Sequence, residues 1–318
     1  MWPLLALGSA LAFCFVSVCD KRLLSFHLNG VPPLCLWCGA TGLIYGTIVA
    51  AVVGVPEGTT WQVALAPVGA GLFMGCSVVL LFRGLRLMEA SRAVAISQTN
   101  PIFVAILALM FLGEHVSPAQ WCGIALVVAG AVLISVRLFQ ERPFGRIGAG
   151  LAIPSTAVFD LRDRTAIYGP ALLVVSALCA AASFVVAKAA LNAHLPVLTV
   201  FGIQQATVGA VFFCAGLSGG PRLWSAVKQP GVLAMLLFGE SLMPAISILL
   251  GVYAYSLGPA SLVAAVLATR PLFVFIASTL LSRMRWQFLD ETLTPRALSV
   301  KAASIVMIVS GVGTLSVG

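Results

Sequence analysis

Two stretches of the sequence decide the fold: QTNPIFVAI, from Gln98 to Ile106, and ATRPLFVFI, from Ala268 to Ile276. In each stretch a proline follows a polar residue inside an apolar run long enough to cross a membrane. Proline has no N–H to donate and opens the helix before it. Backbone freed at membrane depth is tolerated where it is buried against protein or lines a polar cavity. We therefore expect two matching helix breaks that face a central site.

The composition is that of an integral membrane protein. The 318 residues are 60% hydrophobic and 9% charged, and the mean hydropathy is +1.08. Soluble domains carry about 25% charged residues. At about 20 residues per span, the apolar stretches divide into roughly ten transmembrane helices. We place these spans at 2–20, 32–54, 61–82, 91–112, 119–137, 168–191, 196–218, 230–256, 259–282 and 298–317.

The chain also repeats itself. A shift of 167 residues (176 − 9 = 167) places Ser9, Lys21, His27 and Gly42 on Ser176, Lys188, His194 and Gly209. A shift of 170 (271 − 101 = 170) places Leu87, Ala90, Ser91 and Pro101 on Leu257, Ala260, Ser261 and Pro271. We predict a first repeat at 1–137, a connecting loop at 138–167 and a second repeat at 168–318.

An odd number of spans per repeat inverts the second copy in the membrane. The chain is thus predicted to be an all-α membrane protein of ten transmembrane helices in two inverted five-helix repeats. All of the 18 lysines and arginines except Lys188 and Arg270 fall on one side of this arrangement. By the positive-inside rule that side is cytoplasmic and both termini lie outside, in a plasma or inner membrane.

Arg270 is the sharpest functional signal, because it lies about mid-bilayer in the ninth span. An arginine there costs on the order of 2.5–3.5 kcal/mol and needs a partner or a water-filled cavity. It either faces a ligand or forms an ion pair within the bundle. Glu240 is an acidic residue inside an apolar span, and we expect it to be either the counter-ion of Arg270 or a proton carrier. The two residues are predicted to lie about 9 Å apart along the helix axes.

Other polar residues and prolines complete the predicted site. Substrate binding is assigned to Arg270, Glu240, Asn100, Gln98, Gln204, Gln205 and Trp37, with packing as the alternative for each amide and for the tryptophan. Coupling or gating is assigned to Glu240, Pro101, Pro271, Pro244, Lys21 and Lys188. Plain kinks are the alternative for the prolines, and snorkelling is the alternative for the lysines.

The segment SRAVAISQTNPIFVAILALMFLGEHVSPAQWCGIALVVAGAVLIS and its second copy, PASLVAAVLATRPLFVFIASTLL, resemble the EamA-like branch of the drug/metabolite transporter superfamily. That resemblance implies a basket of ten helices whose cavity is lined mainly by spans 1, 3, 4, 6, 8 and 9. The motif residues carried over are Pro101, Glu114 and Pro271, with Glu291 a weaker match. The sequence departs from the family pattern in the insertion MRWQFLD and in the predicted side of its termini.

Together these features predict a secondary transporter that exports an amino acid or organic anion by alternating access, with proton coupling left open. The alternatives are an exporter of lipophilic cations, a channel or a scaffold. No enzymatic activity is expected, because the three histidines are scattered and Glu240 appears alone. We expect no cofactor, metal or nucleic acid, a small-molecule substrate and membrane lipid as partners, and a monomer or homodimer.

Overall fold

The computed structural model describes residues 1–28, 30–87, 96–140, 158–283 and 295–317, and the regular elements in these ranges are helices. The α-helices are α1 Trp2–Arg22, α2 Val31–Val53, α3 Trp61–Leu87, α4 Asn100–Phe111, α5 Pro118–Gln140, α6 Val158–Asn192, α7 Val197–Gly216, α8 Gly220–Val227, α9 Pro230–Met235, α10 Met243–Leu257, α11 Ala260–Leu267, α12 Arg270–Arg283 and α13 Pro295–Val317. Two π-helical segments, Leu23–His27 and Leu236–Leu242, and a short 3₁₀ turn, Leu217–Gly219, join some of them.

Seven of these helical stretches are long and apolar enough to cross a membrane. They are Trp2–Asp20, Val31–Val53, Trp61–Leu85, Tyr168–Asn192, Val197–Val227, Pro230–Leu257 and Ala260–Ala277. Three of the predicted spans coincide with shorter apolar helices in the described ranges: Asn100–Phe111, Pro118–Leu133 and Ala303–Leu315.

The predicted connecting loop at 138–167 is wrong at both ends. Helix α5 continues to Gln140, and α6 begins at Val158, ten residues before the predicted span. A helix of this kind need not stop where the hydrophobic run stops, because its backbone hydrogen bonds do not depend on apolar side chains. The insertion at 284–290 and Glu291 lie outside the described residues.

The closest helix contacts join the first half of the chain to the second: α2 with α7, α3 with α6, α1 with α10 and α5 with α13. The α2–α7 contact depends on glycine. A Cβ atom added to Gly209 would lie 2.8 Å from the carbonyl carbon of Gly42, and one added to Gly216 would lie 2.6 Å from the Cα of Leu36. Lipid provides no hydrophobic driving force between helices, so their association depends on packing. Small residues allow the backbones to approach each other and gain dispersion contacts.

Buried serine pairs hold two of these contacts. Between α1 and α10, the Ser247 hydroxyl donates to the Ser9 carbonyl at 2.8 Å, and the two hydroxyls are 3.3 Å apart. Between α3 and α6, Ser77 and Ser176 each donate to the carbonyl of the other, at 2.8 and 2.7 Å. In both places a buried hydroxyl finds an acceptor that lipid does not offer.

Candidate functional site

Both proline stretches break their helices where the sequence predicts. A turn at Gln98 and Thr99 precedes α4, and a turn at Ala268 and Thr269 precedes α12. The first backbone bond across each break is equivalent, with Ile102 N–H donating to the Thr99 carbonyl at 3.0 Å and Leu272 N–H to the Thr269 carbonyl at 2.9 Å. Asn100 and Arg270 are thus the first residues of α4 and α12, each directly before its proline.

Arg270 lies against aromatic side chains. Its guanidinium carbon is 4.2 Å from the centre of the Phe13 ring on α1, a distance suited to a cation–π interaction. Its buried Nε atom has no hydrogen-bond partner, and no described carboxylate forms an ion pair with it. The buried hydroxyls of Tyr255 and Thr269 are also without hydrogen-bond partners in the described part of the chain.

Glu240 faces a second carboxyl group rather than Arg270. It is 5% exposed and lies in the π-helical segment Leu236–Leu242, directly before Pro244 and α10. The carboxyl of Asp20, near the end of α1, is its acidic neighbour, and the two groups interact electrostatically. The Cys38 thiol donates to Glu240 Oε2 at 3.7 Å, while the buried Oε1 has no donor in the described residues.

This acid pair corrects the sequence analysis, in which Glu240 was taken as a lone membrane carboxylate. Asp20 does close the apolar span of α1, but helical structure continues beyond it through Arg22 and the segment Leu23–His27. The Cys19 side chain of α1 also approaches closely, since a Cβ on Gly239 would lie 2.6 Å from Cys19 Sγ. A glycine at position 239 therefore lets the two carboxyl groups meet.

Trp37 of α2 lies beside the acid pair. Its indole Nε1 donates to the Leu236 carbonyl at 3.2 Å and to the Ser241 hydroxyl at 3.0 Å. A π-helical turn releases backbone carbonyls from their usual donors, and here a side chain from another helix supplies one. Trp37 and Glu240 are therefore neighbours, and Glu240 lies within the helical segment that precedes Pro244.

The four predicted amides do not form one cluster. Gln204 and Gln205 of α7 are both 5% exposed. The Gln204 Nε2 donates to Ser183 at 3.4 Å and the Gln205 Nε2 to the Tyr45 hydroxyl at 2.6 Å, so each lies at a helix contact. The Asn100 Oδ1 and Gln204 Oε1 atoms are buried without hydrogen-bond partners among the residues that the structure describes, and Gln98 is half-buried at the break before α4.

Lys188 lies near the C-terminal end of α10, and Glu114 lies at the start of α11. The buried Lys188 Nζ donates to the Tyr255 carbonyl at 2.7 Å. The Glu114 carboxylate accepts the Ala260 N–H at 2.6 Å, the Ser261 N–H at 3.2 Å and the Ser261 hydroxyl at 3.0 Å. It caps the first turn of α11, where unpaired N–H groups attract negative charge. The side chain of Lys21 lies outside the described residues.

Arg270 and the acid pair both lie along α1. Phe13 and Asp20 are seven residues apart, which is about 10 Å along the axis and returns to within about 20° of the same face. A surface cavity of about 350 Å³ lies elsewhere, lined by Pro56, Glu57, Gly58, Thr59, Thr60, Val63, Ala193 and His194, and contains none of the predicted site residues.

Comparison with known proteins places this architecture among transporters. Residues 1–136 match the EamA-like transporter family. The match confirms the resemblance seen in the sequence. The chain is thus a multi-pass membrane protein that is similar to these transporters over residues 1–136.

Two relatives of the chain are named as uncharacterised transporters. One, in the cobO 3′ region of a Sinorhizobium species, is 38% identical over 80 residues, which are 25% of this chain and 54% of the relative. The other, YwfM of Bacillus subtilis, is 36% identical over 81 residues, or 24% of this chain and 27% of the relative. The matched part therefore spans about half and about a quarter of those proteins.

A solved crystal structure shares the fold of the whole chain. It covers 99% of this chain and 96% of its own, with a TM-score of 0.65 and 17% identity. At that identity the likeness concerns the fold alone. Within the region of the family match, Pro101 opens α4 and Glu114 caps α11.

Sequence reasoning missed Phe13, Asp20, Tyr255 and Thr269. Phe13 and Tyr255 are ordinary apolar-span residues, and nothing in a single sequence distinguishes a ring beside a cation from one in the core. Asp20 could be identified only weakly from the sequence, because the apolar span ends there and the apolar pattern does not reveal the π-helical segment that follows it. Thr269 is adjacent to Arg270, but its position in a break follows only from the backbone.

Proposed function

We propose that this chain is a secondary transporter that exports a small polar metabolite bearing a carboxylate, an amino acid or an organic anion, by alternating access. The observation that carries this proposal is Arg270. The guanidinium at this depth lies over the Phe13 ring, and its Nε atom is buried without a hydrogen-bond partner among the described residues. A carboxylate would supply the bidentate partner that arginine geometry favours.

The ten helices and two inverted repeats belong to this proposal. If a two-fold axis relates the repeats, a residue close to the axis should contact its own counterpart. Gly42 and Gly209, aligned by the 167-residue shift, do so. The serine pairs support the same axis, because Ser9 aligns with Ser176 and Ser77 with Ser247 (247 − 77 = 170). One pair is thus the counterpart of the other.

In this arrangement the basic loops are cytoplasmic, in a plasma or inner membrane, and the Glu114–α11 contact lies at the other end. Every residue of α11 is buried, which supports a conformation closed at that end. Alternating access would require α11 to separate from Glu114. The site would then open and close around Arg270 and the helix breaks at Pro101 and Pro271.

For Glu240 the geometry supports the proton-carrier role over the counter-ion role. Its neighbour is the carboxyl of Asp20, and two carboxyl groups in contact repel unless a proton or another cation accompanies them. Pro244, immediately after the π-helical segment, would allow that segment to move. Lys188, with its Tyr255 carbonyl, would act as a gating contact rather than bind substrate.

The acid pair removes one of the reasons for setting aside an enzyme, namely that Glu240 stood alone. Support for a transporter comes instead from the family match and the named relatives. The exporter of lipophilic cations stays as the second candidate, because the acid pair beside Trp37 would suit a cationic ligand with an aromatic surface.

Ligand-dependent thermal unfolding of the detergent-solubilised protein tests these candidates. The panel contains amino acids, organic anions, sugar nucleotides and tetraphenylphosphonium. A ligand at about a hundred times its Kd stabilises the folded state by roughly 2.7 kcal/mol. We expect carboxylates to raise the Tm of the wild type and of Lys228→Gln, an exposed control, but not that of Arg270→Gln. An increase in Tm with tetraphenylphosphonium alone would refute the carboxylate substrate and support the exporter of lipophilic cations.

A further inference from the structure

The acid pair and Arg270 lie two turns apart on one face of α1. Arg270 is placed by its contact with the Phe13 ring, and the acid pair by Asp20, seven residues later. The ring that contacts the cation and the acidic Asp20 are therefore about 10 Å apart along the same face of α1. Because the two are not in contact, neither neutralises the other.

Each end of this arrangement has a buried atom that is missing a partner. At one end it is Arg270 Nε, a donor; at the other it is Glu240 Oε1, an acceptor on a side chain that is 95% buried. Buried polar atoms in proteins are almost always satisfied by protein, water or ligand. One ligand with an acceptor at one end and a donor at the other would satisfy both.

The groups around the acid pair favour a cationic donor. From α1 it is approached by Asp20 and Cys19, and from α2 by Cys38 and Trp37. A basic group near it, Arg22, acts electrostatically on Cys19. An ammonium placed between the two carboxyl groups would offset their repulsion.

We propose that the transported ligand is a bipolar molecule whose carboxylate binds Arg270 and whose ammonium, several methylenes away, binds the Asp20–Glu240 pair. The chemical class is an ω-amino carboxylate, including amino acids with a terminal side-chain amine. This inference rests on the proposed function and adds to it the second binding group and the distance between the two.

The geometry sets the length of the ligand. Hydrogen-bond distances of about 3 Å at each end leave about 5 to 10 Å between the ligand charges, depending on whether the ligand lies between the protein groups or beside them. An extended chain gains about 1.2 Å per bond, a third of the roughly 3.3–3.6 Å that one residue spans. About three to seven methylenes therefore fit, and glycine, with one, does not.

The test is a length series of ω-amino carboxylates, with one to about eleven methylenes, against the full-length protein in detergent, using thermal shift and isothermal calorimetry. We expect the affinity to pass through a maximum at about three to seven methylenes. At the best length the ω-amino carboxylate should bind at least about tenfold tighter than the alkyl carboxylate or the alkylamine of equal length.

Two near-isosteric variants locate the ammonium. In Glu240→Gln and Asp20→Asn the advantage of the amino group should fall below about threefold, while simple carboxylates keep their affinity. In Arg270→Gln the carboxylates should lose theirs. The exposed loop carboxylate variant Glu57→Gln should leave the length profile unchanged. Should the buried variants not fold, the wild-type profile decides alone.

The outcomes separate this inference from the proposed function. If simple carboxylates bind and a terminal amine adds nothing at any length, the bipolar ligand is refuted while Arg270 stands as an anion site. If alkylamines bind as well as the amino acids and carboxylates do not bind, both proposals fail. A length profile that rises without a maximum reports hydrophobic partitioning and also refutes the inference.

Discussion

Glu114 allows the sharpest stability prediction, because its three hydrogen bonds join the two halves of the chain. Replacing it with alanine leaves the Ala260 and Ser261 N–H groups at the start of α11 without their acceptor. Both residues are at most 1% exposed, so water does not readily replace the carboxylate. An orphaned buried donor costs about 1–3 kcal/mol, which gives Glu114→Ala a loss of about 2–6 kcal/mol.

Glutamine separates charge from shape at this position. Glu114→Gln keeps one carbonyl acceptor and should cost about half as much as alanine, since bonds to a charged group are roughly twice as strong as neutral ones. Unfolding is measured by intrinsic tryptophan fluorescence in detergent as denaturant is added. Glu57→Ala, in the exposed loop between α2 and α3, is the matched control and should have no effect.

A double-mutant cycle tests the contact itself. Ser261→Ala removes the hydroxyl that donates to Glu114 at 3.0 Å. Because that bond is absent once Glu114 is alanine, the cost of Ser261→Ala should be about 1.5–3 kcal/mol in the wild type and close to zero in the Glu114→Ala background. Equal costs in both backgrounds would refute the cap.

Two further predictions concern the helix contacts. Ser247→Ala and Ser77→Ala each remove a hydroxyl that donates to a buried carbonyl of a neighbouring helix at 2.8 Å, and they should cost similar amounts, about 0.6–1.7 kcal/mol. The costs should add in the double variant because the contacts are separate. Unequal or strongly non-additive costs in the same unfolding assay would contradict equivalent contacts. Gly209→Ala forces a Cβ onto the Gly42 backbone and should cost at least about 1–3 kcal/mol of stability. Gly231→Ala, with no atom within 4 Å of its Cβ, is the control and should be neutral or stabilising. Equal stabilities of the two variants would exclude the close α2–α7 approach.

The helix breaks and the N-cap of α5 were predictable because local chemistry fixes them. A proline cannot complete the helix before it, so the positions of α4 and α12 follow from Pro101 and Pro271. Ser117, directly before Pro118, caps α5 and exchanges hydrogen bonds with Gln120 at 2.9 and 3.3 Å in a capping box. Such features depend on residues close in sequence.

The partners of the buried charges were not predictable in the same way. Glu240 meets Asp20 across 220 positions of sequence, through a π-helical turn and a close glycine contact, neither of which the apolar pattern reveals. The depth of Arg270 could be read from its span, but its neighbour Phe13 could not. Periodicity fixes how far a residue lies along a helix, whereas its partner depends on helix packing.

The most direct test of the central claim is counterflow in proteoliposomes. Vesicles are preloaded with the carboxylate that stabilises the wild type most, and uptake of the same labelled compound from outside is compared with uptake into empty vesicles. The account predicts saturable uptake that preloading stimulates in the wild type and in Lys228→Gln, and no stimulation in folded Arg270→Gln. Stimulated uptake of equal size in Arg270→Gln would contradict the assignment of Arg270, and unsaturable uptake without stimulation would indicate a channel.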